Sequence, residues 1–297
     1  MPAVHLLVNP SRSSRRGLLD RVRSAIESSG REVIELRPAN AAAVADTVTR
    51  AREGREGGSG GQQPLERLVV AGGDGLIHQA LPAVANSGIP VGIIGVGTGN
   101  DFARALGLPT RIDAAVRAAL GEPSPVDLIT TGCGRFAASV VTGGFSGRVN
   151  ERANSLCFPP GQQRYTVATL LELRHLEPVA LQLAVDGETH KLNSSLFAIA
   201  NTKFFGGGMA ISPQAEPTDG LLDVVVVDAI SPWLLARMLP TVFSGRHINH
   251  PAVSTYRGAS IELATEAGLW ADGEPFDANV LTIAPGALSL AGSLGFD

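Results

Sequence analysis

Two stretches carry residue types that could handle a phosphate. Leu68-Val-Val-Ala-Gly-Gly-Asp-Gly-Leu-Ile77 is an apolar run that stops at Gly72, Gly73, Asp74 and Gly75. Gly92-Ile-Ile-Gly-Val-Gly-Thr-Gly-Asn-Asp-Phe102 repeats the pattern with Gly97, Thr98, Gly99 and Asn100. A buried strand that ends in glycines and passes into a helix delivers backbone N–H groups to the helix N-terminus, where an anion is stabilised. Residues without a Cβ can adopt positive φ and let a ligand approach closely. Asp74, set among the glycines, suits Mg²⁺ or a substrate hydroxyl. The plainer alternative is a tight strand-to-helix turn with Asp74 as helix cap. Two such loops in consecutive βα units favour a phosphate site. No G-x-x-x-x-G-K-[ST] occurs, which excludes a P-loop, and Gly95/Gly97/Gly99 lack the third glycine of a dinucleotide fingerprint.

A second candidate is Asp272-Gly273-Glu274, two carboxylates in one tight turn. A lone carboxylate, with a pKa of roughly 4, takes an alcohol's proton late in a transfer rather than in advance. Asp-Gly between apolar runs is also a strong hairpin signal. Asp186-Gly187-Glu188 is a second copy that reads as a hairpin only, and sequence physics alone does not separate the two. Asp219 and Asp223 suit either a metal loop or an ordinary turn and strand end. Gly206 to Gly208 suit either a bulge or a close approach to substrate. His78, His175, His190, His247 and His250 show no ligand spacing and read as surface or loop residues. Cys133 and Cys157 make neither a disulfide framework nor a zinc site and read as reduced thiols.

These positions need elements to hold them. Apolar runs at 3–8, 31–37, 67–72 and 90–95 alternate with helical patterns after Arg16, Ala41, Asp74 and Asn100, and a further helix capped by Asp113. Pro82 should kink or shorten the helix that contains it. Residues 54–64 read as a flexible surface loop. Regular alternation implies an open parallel sheet covered on both faces, with ligands at the carboxyl ends of its strands, where Asn9, Asp74 and Thr98 fall. After Gly121-Glu-Pro-Ser-Pro125 the pattern becomes short β-type runs, interrupted by helical patterns at about 164–176 and 231–243. The expectation is an α/β protein. A Rossmann-like nucleotide domain spans 1–125, and a mainly antiparallel β-sandwich domain spans 126–285.

The 297 residues carry a formal charge of −4 with 18% charged residues, so no basic face for nucleic acid is expected. No run approaches the 18 or so apolar residues of a membrane-spanning helix. No segment is polybasic and no helix reads as basic and amphipathic. No targeting segment is visible before the first strand, and the expected location is cytoplasmic.

Taken in order, Asn9-Pro10, Gly72-Gly-Asp-Gly75, Gly97-Thr-Gly-Asn-Asp-Phe-Ala-Arg104, Gly206-Gly-Gly208…Pro213…Asp219-Gly-Leu-Leu-Asp223 and Asp272-Gly-Glu274 resemble the diacylglycerol kinase catalytic-domain family. That family includes bacterial lipid kinases, sphingosine kinases and ceramide kinases. The resemblance covers nearly the whole chain. It implies a nucleotide domain followed by a β-rich domain with a lipid pocket, the segment from about 286 returning to the first domain. It implies ATP and Mg²⁺ as cofactors, and a lipid substrate collected at the inner membrane face. Asn9, Gly72, Gly73, Asp74, Gly75, Gly97, Thr98, Gly99 and Asn100 would meet the nucleotide. Asp74 would bind Mg²⁺ through water or position the acceptor hydroxyl, and Glu274 with Asp272 would supply the base. Asp219, with the carbonyls of Glu216 and Leu221, resembles the family's structural-metal loop. The chain departs from the pattern at Leu76 (usually Thr), Gln79 (often Glu), Gly95-Val96 (usually with Pro) and Ser11-Arg12 (usually Ser-Gly). A kinase of the NAD-kinase or phosphofructokinase type, and an ATP-binding protein without turnover, are the rival readings. The sequence leaves dimerisation open.

Overall fold

The computed structural model describes residues 3–9, 16–55, 63–131, 133–156, 158, 163–292 and 294–295. The turn Pro10–Arg12, most of the 54–64 loop and Cys157 lie outside the described residues. Two compact units emerge, Met1–Val126 with Pro285–Asp297, and Asp127–Ala284.

In the first unit the elements are β1 (Ala3–Val8), α1 (Arg16–Glu27), β2 (Glu32–Leu36), α2 (Val44–Arg52), β3 (Leu68–Gly72), α3 (Asp74–Val84), β4 (Val91–Gly95), α4 (Asp101–Ala105) and α5 (Ile112–Ala119). The strands pair in parallel in the order β2-β1-β3-β4. Every residue of β1 and β3 is buried, as strands covered on both faces must be, hence their nearly unbroken apolar runs. Val4, Leu6 and Val8 of β1, Val69 and Ala71 of β3, and Ile94 of β4 meet Val22 and Ile26 of α1 and Val116 and Ala119 of α5. Right-handed crossovers place α2 and α3, which pack on each other, against the opposite face. Asn40 caps the turn before α2, its Oδ1 accepting from the Ala43 N–H at 3.1 Å. Asp113 lies in the first turn of α5 rather than at its cap, which is Arg111. Pro82 sits in the last turn of α3, which stops two residues later.

The second unit is built from β5 (Pro123–Thr131, which begins in the first unit), β6 (Phe136–Ala137), β7 (Val140–Gly144), α6 (Phe145–Ser155), α7 (Gln163–Leu173), β8 (Val179–Val185), β9 (Glu188–Ala200), β10 (Phe204–Phe205), β11 (Met209–Ala210), β12 (Leu222–Asp228), α8 (Pro232–Val242), β13 (Val253–Gly258), β14 (Ser260–Thr265), β15 (Leu269–Ala271), β16 (Glu274–Phe276) and β17 (Val280–Ala291). Strands β7, β8, β9, β12, β13, β14, β15 and β16 pair antiparallel, and the long strand β9 is the hub. Its first half pairs with β8, and its second half lies between β7 and β12. Alternate residues point into one sandwich core: Leu181, Leu183 and Val185 from β8, Phe197 and Ile199 from β9, Leu222, Val224 and Val226 from β12, and Ile261 and Leu263 from β14. The fold is thus an N-terminal parallel α/β sheet followed by an antiparallel β-sandwich. The last apolar stretch is one long strand, β17, with Gly286 at φ +60° within it. Helix α6 interrupts the second half as a third helix.

Candidate active site

The two glycine loops stand at the carboxyl ends of adjacent parallel strands. Val8 pairs with Ala71 and Gly72 with Gly95, so Asn9, Gly73 and Val96 leave the sheet side by side. Chain order reverses between β1 and β3, the usual place for a ligand in such a sheet. The loops touch through their backbones: a Cβ on Gly97 would lie 2.5 Å from the Gly73 Cα and 2.6 Å from the Asn100 Oδ1. A Cβ on Gly72 would strike the Leu76 side chain at 2.5 Å. None of Gly72, Gly73, Gly75, Gly97 or Gly99 has positive φ, so crowding rather than left-handed backbone selects Gly72, Gly73 and Gly97. Beside Gly75 there is open space, with nothing within 4 Å of an added Cβ. Asp74 and Gly75 open α3, and first-turn amides have no intrahelical acceptor. These N–H groups fit the phosphates of a nucleotide.

The second loop is more self-contained than its motif suggested. Asn100, at φ +55°, accepts from the Gly97 N–H at 2.8 Å and donates to the carbonyls of Gly95 and Gly97 at 3.3 Å each. The Gly97 N–H and the Asn100 side chain are therefore spent on the turn. Thr98 is exposed. Asp101 is held by Arg104 at 2.6 Å, and Arg104 also donates to the Gly99 carbonyl. Asp74 accepts from the Phe102 N–H at 3.0 Å, so its carboxylate ties the first loop to the start of α4.

In the second unit, Asp272 and Glu274 part company. Asp272, at φ +51°, accepts from the N–H groups of Ala138, Ser139 and Val140 at 2.8, 2.9 and 3.4 Å. Its oxygens are thus committed to the edge of β7 rather than to a reacting group. Asp186 does the same work in the other hairpin, at φ +46°, accepting from the Ala259 and Ser260 N–H groups at 3.0 and 2.8 Å. The two Asp-Gly turns are structural twins. Glu274 is exposed, and its side chain makes no hydrogen bond or ion pair among the described residues. Arg135 braces its strand, donating to the Pro275 carbonyl at 3.2 Å and stacking 4.6 Å above the Phe276 ring.

The loop from Glu216 to Asp223 is also brought together, with its own cation. Asp219 Oδ1 accepts from the Leu221 N–H at 2.9 Å, and Asp219 Oδ2 binds the Arg257 guanidinium. The Leu221 group that meets Asp219 is its amide, and the Glu216 carbonyl accepts from the Asp219 N–H at 3.4 Å. Arg257 is the cross-strand partner of Asp223, with Nε 3.7 Å from the buried Oδ2. Burial pushes the Asp223 carboxyl up to about 6 despite Arg257, with Asp219 and Glu216 adding to the rise. No group of three His, Cys, Asp or Glu is arranged for a metal among the described residues. The donor set does not fit a metal while Arg257 holds Asp219.

Sequence reasoning missed the residues that knit this unit. Asp127 is buried and accepts from the Gly220 N–H at 2.9 Å. Asn201 donates to the carbonyls of Asp127 and Ala138 at 2.8 and 2.9 Å. It thus links the metal-like loop to the strand that Asp272 clamps. Gly206, Gly207 and Gly208, all at positive φ, form the turn between β10 and β11. His247 is buried rather than exposed, its Nε2 3.0 Å from the Ile211 carbonyl.

The profile of the diacylglycerol kinase catalytic domain matches residues 3–131, and that of the YegS C-terminal NAD kinase beta sandwich-like domain matches residues 139–292. A protein named diacylglycerol kinase from Mycobacterium tuberculosis (strain H37Rv) is 36% identical over 236 residues, covering 76% of each chain. The chain belongs to the diacylglycerol kinase catalytic-domain family. Another member similar to it, named "Probable lipid kinase YegS-like", from Yersinia enterocolitica, is 29% identical over 71% of this chain and 73% of its own. A diacylglycerol kinase structure from Bacillus anthracis shares the fold, with a TM-score of 0.71 over 98% of this chain and 96% of that one at 17% identity. As a member of a kinase family, the diacylglycerol kinase-like chain is assigned to phosphoryl transfer.

Proposed function

We propose that this protein transfers the γ-phosphoryl group of ATP to a hydroxyl of diacylglycerol or a related lipid presented at a membrane surface. The observation that carries the reading is the pair of glycine loops at the ends of β3 and β4, in backbone contact, with Asp74 set between them. When bound, ATP supplies the phosphoryl group and Mg²⁺ neutralises its phosphate oxygens while keeping several waters. The open side of Gly75 and the first-turn amides of α3 hold and orient the phosphates. Asp74, whose Oδ1 accepts from the Phe102 N–H, would be the carboxylate beside the hydrated cation. Phosphoryl transfer has a loose transition state, so positioning and charge neutralisation dominate. The acceptor oxygen bonds to the γ-phosphorus as the bond to the β–γ bridging oxygen breaks. Glu274, the carboxylate left unengaged, takes the hydroxyl proton, worth about 10²- to 10⁴-fold.

Transfer of radiolabel from ATP to a panel of lipid alcohols in mixed micelles tests the reading and names the acceptor. Transfer only to NAD or a sugar phosphate would assign the polar-substrate rival, and ATP binding without transfer would assign the silent one. Asp74→Asn keeps an oxygen for the Phe102 N–H but removes the charge. It is expected to fold normally and lose transfer by at least about 10²-fold.

A further inference from the structure

Six large hydrophobic side chains stand exposed among the described residues, and five belong to α7, α8 or the turns flanking them: Phe158, Leu170, Leu171, Trp233 and Phe243. Leu170 is 64% exposed and Trp233 79%, so neither is a core residue showing one edge. Helices α6, α7 and α8 share a buried cluster that includes Phe145, Val149, Ala168 and Leu235. Leu170 lies two residues from Ala168, and Trp233 two residues from Leu235. Two residues turn a helix by about 200°, so both side chains point away from the packed face. Trp233 is fixed there by the start of α8, where Ser231 caps the helix and Pro232 opens it.

The charge around these side chains is one-sided. Between Arg152 and Leu176 the sole carboxylate is Glu172, which is buried and held by Arg152 at 2.7 Å, and the exposed Glu177 just beyond is paired with Arg148 at 3.6 Å. Between Ala229 and Ile261 there is none. Arg174, Arg237 and Arg246 are exposed and in no ion pair among the described residues. Arg237 follows Trp233 at the four-residue spacing that brings helical side chains together, and Arg174 stands in the turn just past α7, four residues after Leu170. A chain with a net charge of −4 thus keeps two helices whose exposed faces carry apolar and cationic groups, the one acid on them, Glu172, being buried in an ion pair. A second copy docked two-fold on this face would set arginines against arginines. A bilayer with anionic headgroups satisfies both features, since apolar side chains enter the headgroup boundary, Trp favours that depth, and arginines meet lipid phosphates.

We propose that the exposed face of α7 and α8 docks the protein on an anionic lipid surface, with Leu170 and Trp233 entering the headgroup layer and Arg174 and Arg237 meeting lipid phosphates. The purpose of such docking rests on the lipid-kinase reading, but the surface is argued from exposure and charge alone. The test is co-sedimentation of the full chain with phosphatidylcholine vesicles containing about one third phosphatidylglycerol, or none. Binding is expected to the mixed vesicles, to weaken with salt and to be slight on pure phosphatidylcholine. The pair Leu170→Glu and Trp233→Glu should weaken partition by at least about tenfold, and Arg174→Glu with Arg237→Glu by a similar factor. Val280→Glu, at the sixth exposed hydrophobic, should leave it unchanged. Transfer from ATP to a monomeric short-chain acceptor should survive in the Leu170/Trp233 variant, showing that the fold is intact. Equal binding to both vesicle types, an unchanged partition in both double variants, or a change of oligomeric mass in place of vesicle binding would overturn the proposal. Absent transfer with the sedimentation pattern intact would sink the kinase reading and leave the docking surface standing.

Discussion

Replacing Asp272 by Asn should cost stability, whereas replacing Glu274 by Gln should cost turnover alone. The Asp272 carboxylate accepts from three backbone N–H groups, at 2.8, 2.9 and 3.4 Å. Asn tolerates the same left-handed backbone, but it has one acceptor oxygen, and its NH₂ would face an N–H. Hydrogen bonds to a charged group contribute about 1.5–3 kcal/mol; because Asp272 is only half-buried, the expected loss is roughly 2 kcal/mol. At about 2–4 °C per kcal/mol for a unit of this size, the thermal midpoint should fall by roughly 4–8 °C. Asp186, the exposed twin, should lose about half as much on the same change, with transfer unaffected. Glu274→Gln touches no partner, so its stability should stay within about 0.5 kcal/mol while transfer falls by about 10²- to 10⁴-fold. Calorimetry and the ATP transfer assay, run on all three variants, decide the matter. Full activity in Glu274→Gln refutes the reasoning. So does an Asp272→Asn protein that loses transfer but keeps its midpoint, since Asp272 would then be the reacting carboxylate.

Three further outcomes are expected. Gly97→Ala puts a methyl 2.5 Å from the Gly73 Cα; forcing the loops apart should cost about 1–3 kcal/mol and weaken ATP binding, which a nucleotide titration would read. Arg257→Gln removes the cation shared by Asp219 and Asp223 and should destabilise the protein by about 1–3 kcal/mol at pH 7.5. Chelation by EDTA should leave the wild-type midpoint unmoved, and a fall of several degrees would show a divalent ion in that loop. His5 and His247 are buried, and burial lowers both imidazoles below their ordinary value, the backbone near Gln63 and Ile211 offsetting only part. The unfolded chain then binds more protons than the folded one as pH falls below about 6.5. Urea midpoints should therefore drop between pH 7.5 and 6.5, a window in which Asp223, at about 6 and of opposite sign, is still largely ionised. A flat profile there would remove the two histidines from the account.

What the sequence made legible was whatever depends on near neighbours. Parallel strands buried on both faces must be apolar throughout, so β1, β3 and β4 announced themselves, and the glycine clusters followed them directly. The change to short alternating runs after Pro125 likewise exposed the antiparallel sandwich. Helix α6, Phe-Ser-Gly-Arg-Val-Asn-Glu-Arg-Ala-Asn-Ser, has too few apolar residues to show a helical stripe: Phe145, Val149 and Ala153 are the ones that face its core among the described residues.

The functional side chains were harder to read because their meaning is set across the chain. Asp272 and Asp186 have the same local sequence and the same turn. What commits Asp272 is a strand edge more than a hundred residues earlier, and what leaves Glu274 unengaged is the same geometry seen from the other side of the glycine. Asp219 looked like a metal ligand until β13 set Arg257 beside it. The docking face escaped for the converse reason. No single segment is basic or amphipathic enough to be noticed, and only the packing of α6, α7 and α8 turns Leu170 and Trp233 outward beside unpaired arginines. A carboxylate's chemistry in this protein therefore follows from which N–H groups and guanidinium reach it. That is why Glu274, with none, is the group from which proton transfer is expected.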